Sequence, residues 1–88
     1  MTQLRLQKQL LEWREVDEEV IALEQRESVY LAANASATLL WRALDSGASE
    51  QELAGLLVSE YGITSEQAQA DVDAFVKDLD TRGLLERR

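Results

Sequence analysis

The chain has 88 residues, 45% of them apolar, with 17 acids against 9 bases, a net charge of −8, and no Cys, His or Pro. That length carries one small core, so residues 1–88 are expected to form a single domain. The missing residue types exclude disulfides, thiol nucleophiles, zinc–thiolate sites and imidazole general bases. The acidic balance opposes a nucleic-acid duplex, where affinity comes from Lys and Arg neutralising phosphate.

The first nine residues are broken by charge or amide every two or three positions, which argues against a secretory signal. They either extend the first strand or fray. No apolar run approaches the roughly 18 residues of a membrane span. A cytoplasmic location, with no membrane partner, is the expectation.

Up to Asn34 the apolar residues come in short alternating groups: Leu11-Glu12-Trp13-Arg14-Glu15-Val16, then Val20-Ile21-Ala22-Leu23, then Val29-Tyr30-Leu31. Charged segments separate them, Asp17-Glu18-Glu19 and Glu24-Gln25-Arg26-Glu27, so they predict a three-stranded antiparallel meander. From Asn34 the period becomes helical. Asn34 is placed to cap a first helix burying Ala37, Leu40, Trp41 and Leu44, which stops at Asp45-Ser46-Gly47. Ser49 with Glu52 forms a capping box for a second, ended by Gly62. Thr64 or Ser65 opens a third, with Ala68, Val72, Phe75, Val76 and Leu79 as its stripe to Arg82 and Gly83 as its stop. Leu84 and Leu85 are available to fold back on the core.

Three strands followed by three helices predict an α+β, winged helix-turn-helix-like domain. In the DNA-reading form of that fold the last helix enters the major groove. Here that helix carries Glu66, Asp71, Asp73, Asp78 and Asp80 against Lys77 and Arg82. Phosphate would be repelled. The pairs Asp71/Asp73 and Asp78/Asp80 point about 200° apart around a helix and cannot chelate one ion, so no metal or cofactor site is expected. No catalytic constellation is present, and the chain reads as a binding module rather than an enzyme. The strand Ser28-Val29-Tyr30-Leu31-Ala32 carries neither charge nor Pro, the usual protections of a sheet edge. It is the candidate surface for capturing a peptide strand.

The run from Val29 through Tyr30, Leu31, Asn34, Ala37 and Trp41 to Leu44-Asp45-Ser46-Gly47 resembles the PqqD-like family. In that family a Tyr-x-x-Leu-Asn-x-x-Ala-x-x-x-Trp pattern joins the third strand to the first helix. The second helix ending in Tyr61 and the Asp71-Val72-x-x-Phe75-Val76-x-x-Leu79-x-x-x-Gly83-Leu84-Leu85 tail match too, so the resemblance spans roughly residues 10–86. Two departures stand out: Ala33 replaces the family's Leu before Asn, and Gln25-Arg26-Glu27-Ser28 lacks the Gly common in the second turn.

The resemblance implies a RiPP recognition element, which binds the leader of a ribosomally made precursor beside its third strand, in a cleft floored by the third helix. Trp41 and the Val29-Tyr30-Leu31 strand look more like the lasso-peptide branch than the pyrroloquinoline quinone branch. The lasso branch implies a separate leader peptidase, a transglutaminase-like cysteine protease, as partner. With Ala68, Val72, Phe75 and Leu79 inward, one flank of the third helix carries Gln67, Asp71, Ala74 and Asp78, and the other Gln69, Asp73 and Asp80. The first is favoured because Ala74 leaves room beside Phe75. The expected peptide site is therefore Ser28, Val29, Tyr30, Leu31, Ala32, Asp71, Ala74, Phe75 and Asp78. The alternatives are a peptide chaperone of the quinone or another RiPP pathway and, in a different class, a winged-helix transcription regulator.

Overall fold

Alternation of apolar and polar residues makes one face of a sheet, and the computed structural model, which describes residues 2–87, shows that face packed under three helices. Met1 and Arg88, the ends of the expected 1–88 domain, lie outside the described residues. The chain begins with β1 (Leu4–Leu6) and a single 3-10 turn (Lys8–Leu10). Then come the meander β2 (Leu11–Val16), β3 (Glu19–Glu24) and β4 (Val29–Ala33), and helices α1 (Ala35–Ser46), α2 (Glu50–Tyr61) and α3 (Ser65–Thr81). A short β5 (Leu85–Arg87) closes the chain. The α+β, winged helix-turn-helix-like class expected from the sequence is the class observed.

The meander is antiparallel in the order β2-β3-β4, with Trp13 opposite Ala22 and Ala22 opposite Leu31. Its inner face brings Leu11, Val20 and Ala22 into the core, with Trp13 and Leu31 packed against them. A two-residue turn, Asp17-Glu18, joins β2 to β3 with both residues at positive φ, 51° and 68°. That is the backbone of a primed hairpin turn, built here without the glycine it ordinarily prefers. In the second turn Ser28 stands at φ 56°, so Ser28 belongs to the turn and not to the strand in which the sequence places it.

The helices follow their caps. The Asn34 side chain accepts from the Ala37 N–H at 3.0 Å, Ser49 and Glu52 form the reciprocal capping box, and Thr64, not Ser65, caps α3. Leu40, Trp41 and Leu44 of α1, Leu53 and Leu57 of α2, and Ala68, Val72, Val76 and Leu79 of α3 fill the core. Trp41 meets Trp13 edge-on, centroids 6.0 Å apart, so the tryptophans act as core.

Residues Leu4–Leu6 neither fray nor extend β2. They pair antiparallel with β5, Leu6 opposite Leu85, and Leu4 and Leu6 are buried. The main chain of Leu4 also exchanges two hydrogen bonds with Ala48, between α1 and α2. Leu84 and Leu85 do return to the core, and they do so through this second, two-stranded sheet.

Candidate peptide-binding cleft

Among the described residues β4 pairs only with β3, and its other edge is open. Which backbone groups face that edge follows from the ladder. The Gln25 N–H donates to Leu10 O on the β2 side, so the even-numbered residues of β3 direct their main-chain groups toward β4. The Thr38 hydroxyl agrees: it accepts from the Val20 N–H at 2.9 Å and donates to the Ala33 carbonyl at 3.2 Å, bridging that ladder position. With Val20, Ala22 and Glu24 facing Ala33, Leu31 and Val29, the N–H and C=O groups of Tyr30 and Ala32 point to the open edge.

Beside this edge lies a cleft of about 320 Å³, walled by Tyr30, Leu31, Ala32 and Ala33 of β4 and by Phe75, Asp78, Leu79 and Arg82 from α3 and its C-cap. Ala37 and Trp41 of α1 and Val20 of β3 complete its lining. At the Val29 end the cleft continues, through Arg82, into a polar hollow with Glu24, Arg26, Glu27 and Gly83. At the other end, beyond Asn34, Ala35, Ser36, Leu57, Tyr61 and Ile63 form a more apolar hollow with Asp71. Edge strand and helix thus form two walls of one cleft, residues 30–33 on one side and residues 75–82 on the other.

The expected residues are distributed along this line. Tyr30, Leu31, Ala32, Phe75 and Asp78 share the central cleft; Val29 and Asp71 stand at opposite ends. Ala74 is exposed and lines none of these hollows, because the stripe that walls the cleft with β4 is Phe75, Asp78 and Arg82, spaced by three and four, while Asp71 lines the hollow beyond Asn34. Arg82 was legible by that same spacing from Asp78. The helical period assigns Ala37 and Trp41 to the core; Trp41 is buried there, Ala37 is half-buried, and the approach of α1 to the sheet adds both to the cleft lining.

Two ion pairs lie along the cleft and its polar end. Asp78 accepts from Arg82 Nε at 3.2 Å. Glu24, 5% exposed, accepts from Arg26 Nε at 2.5 Å and from the Glu27 N–H at 2.8 Å. The Arg26 hydrogen bond, and then that of the Glu27 N–H, hold the Glu24 carboxyl below its ordinary value of 4.5. Among the described residues no three His, Cys, Asp or Glu converge on a common point, and no helix is long and apolar enough to cross a membrane. The sheet's outer face, opposite the core, exposes Ile21 and Tyr30 beside Leu23 and Arg14.

The family model described as "Coenzyme PQQ synthesis protein D (PqqD)" matches residues 10–85. No curated protein matches. A structure of a lasso peptide synthetase B1 complexed with the leader peptide is 28% identical, superposes with a TM-score of 0.81, and covers 94% of this chain and 96% of its own. The structure of TbiB1 in complex with the TbiA(beta) leader peptide shares the fold at 22% identity and a TM-score of 0.85, covering 93% and 94%. A match over residues 10–85, from the start of the meander to β5, shows that the chain belongs to the PqqD family and is a PqqD-like RiPP recognition element.

Proposed function

We propose that the chain binds the leader segment of a ribosomally synthesised precursor peptide as an added strand on β4 and presents it to a separate leader peptidase in lasso-peptide biosynthesis. The observation that carries this reading is the open edge of β4, uncharged and unblocked, facing a cleft whose opposite wall is α3. Main-chain pairing with Tyr30 and Ala32 would supply sequence-independent hydrogen bonds, and alternate side chains reaching toward Phe75 and Leu79 would supply selectivity. Two similar structures were solved with leader peptides bound, one of them a lasso peptide synthetase component. A chain without Cys or His supports binding rather than catalysis, and a cytoplasmic setting suits a partner to newly made peptide. The outer sheet face, with Ile21 and Tyr30 exposed, is available to the peptidase while the edge and cleft hold the leader.

The test is an amide NMR titration with two peptides: the TbiA(beta) leader, and a 20-residue peptide selected on this protein by display. The Tyr30 and Ala32 amides are expected to move downfield and gain protection from exchange. Saturable binding that leaves both unchanged would place the peptide elsewhere. Cleavage of a leader-bearing precursor by a lasso-peptide leader peptidase that does not speed up when this chain is added would refute the delivery step.

A further inference from the structure

The two walls of the cleft come from different parts of the chain, and at one end a single side chain joins them. Arg26, in the turn before β4, gives its Nε–H to the buried Glu24 carboxylate at 2.5 Å and its Nη2–H to the Arg82 carbonyl at 2.8 Å. Arg82 is the C-cap of α3, so that carbonyl belongs to the helix's negative pole, where backbone acceptors lack intrahelical partners. The last turn of α3 has no basic residue of its own. Arg82 itself turns its guanidinium back to Asp78, and the carbonyl at the helix end is met by Arg26 from across the fold. Glu24 stands opposite Val29, the first residue of β4, so the same guanidinium is tied to the start of the edge strand and to the end of the facing helix. A Cβ built on Gly83, at φ 71°, would stand 3.4 Å from Arg26 Nη2, so the guanidinium lies directly against the residue that follows the cap.

We propose that Arg26 is a positioning residue for peptide capture: a latch that holds the C-terminal end of α3 at a set distance from β4, so that the cleft stands ready before the peptide arrives. The inference rests on the strand-addition reading. Arg suits the task because its planar fork makes two directed bonds at once, to a carboxylate and to a carbonyl, whereas the single ammonium of Lys is a point charge. A latch of this kind acts on binding by raising the fraction of molecules already competent. Apparent affinity falls in proportion as that fraction falls.

The experiment uses wild type, Arg26→Lys and Arg26→Ala, with a fluorescein-labelled TbiA(beta) leader and a labelled 20-residue peptide selected on wild type by display. Affinity and association rate come from anisotropy and stopped flow, and folding from circular dichroism at the same temperature. A peptide-free readout is amide exchange at Gly83 and Leu84. Arg26→Lys keeps a cation beside Glu24 and is expected to stay folded, yet to bind about tenfold more weakly, mainly through slower association, with faster exchange at Gly83. Wild-type affinity and association rate in folded Arg26→Lys would overturn the latch, as would losses in Arg26→Ala that appear only where circular dichroism shows unfolding. A wild-type protein whose Tyr30 and Ala32 amides are unmoved by either peptide at saturation would instead refute the strand-addition reading, and the exchange at Gly83 would still report whether Arg26 holds the helix end.

Discussion

The hydroxyl of Thr38, 1% exposed in α1, stands between the Val20 N–H and the Ala33 carbonyl, where the β3–β4 ladder would otherwise close on itself. One side chain therefore ties the first helix to two strands and ends the edge strand at Ala33. Thr38→Val keeps the shape and removes the hydroxyl, leaving a buried donor and an acceptor without their partner. A loss of roughly 1–3 kcal/mol in urea unfolding is expected. Thr38→Ser, which keeps the bridge, should lose about 1 kcal/mol or less. Equal losses in the two variants would show that the hydroxyl bridge contributes nothing.

The ladder parity sets which prolines disturb the leader and which disturb the fold. Tyr30→Pro and Ala32→Pro remove N–H groups that face the open edge, so each should weaken leader binding by about 1 kcal/mol, roughly fivefold in Kd, with the sheet retained. Tyr30→Ala controls for the lost side chain. Leu31→Pro removes an N–H that faces β3 and should lower the melting temperature sharply. If Ala32→Pro is folded and binds as wild type does, pairing along this edge is wrong.

On the helix side, the cleft is lined by Asp78 and not by Ala74. Asp78→Lys should change the affinity for a leader several-fold and alter its salt dependence. Ala74→Lys, on exposed surface, should stay within about twofold. Isothermal titration at two salt concentrations separates them. The reverse ranking would place the peptide on the flank that bears Ala74.

Glu18 holds φ 68° without being glycine, in a turn that wants positive φ at both positions. Glu18→Gly relieves that strain but loosens the unfolded chain, and a net gain of about 0.5–1 kcal/mol is expected from thermal and urea unfolding. The variant turn, an aspartate followed by a glycine, has the pair of residues that primed hairpin turns favour. A destabilised variant would show that the Glu18 side chain makes a contribution larger than its backbone strain.

Glu24 supplies a pH dependence with a definite sign. Its folded pKa is lowered below 4.5, chiefly by the Arg26 hydrogen bond, so its contribution is fully present above the unfolded value near 4.5 and is lost as pH falls through the lower folded one. Glu15 with Arg42, and Asp80 with Arg87, are lowered in the same direction. Glu24→Gln should therefore be less stable than wild type at pH 7, with the difference shrinking as the pH drops below 4.5 in urea titrations. A difference that stays constant down to pH 2 would mean that the carboxylate's charge is not what Arg26 holds.

The sequence by itself determined the elements whose signals are local. Asn34, Ser49 and Thr64 each place a side-chain oxygen where free N–H groups of a helix need one, and the alternation from Leu11 to Arg14 leaves one face to bury. Those cues act within a few residues and survive without the rest of the fold. The tertiary structure alone decided the relations that join distant segments. Leu4–Leu6 and Leu85–Arg87 are each too short to declare themselves, and become strands only because they meet. The same holds for the open edge: alternation shows which side chains point inward, but whether Tyr30 or Leu31 turns its N–H outward depends on which neighbour lies on which side of β3. Arg82 lines the cleft and Ala74 does not, for that reason too. The helical period orients α3 about its axis, and only the position of β4 selects which of its residues line the cleft between them.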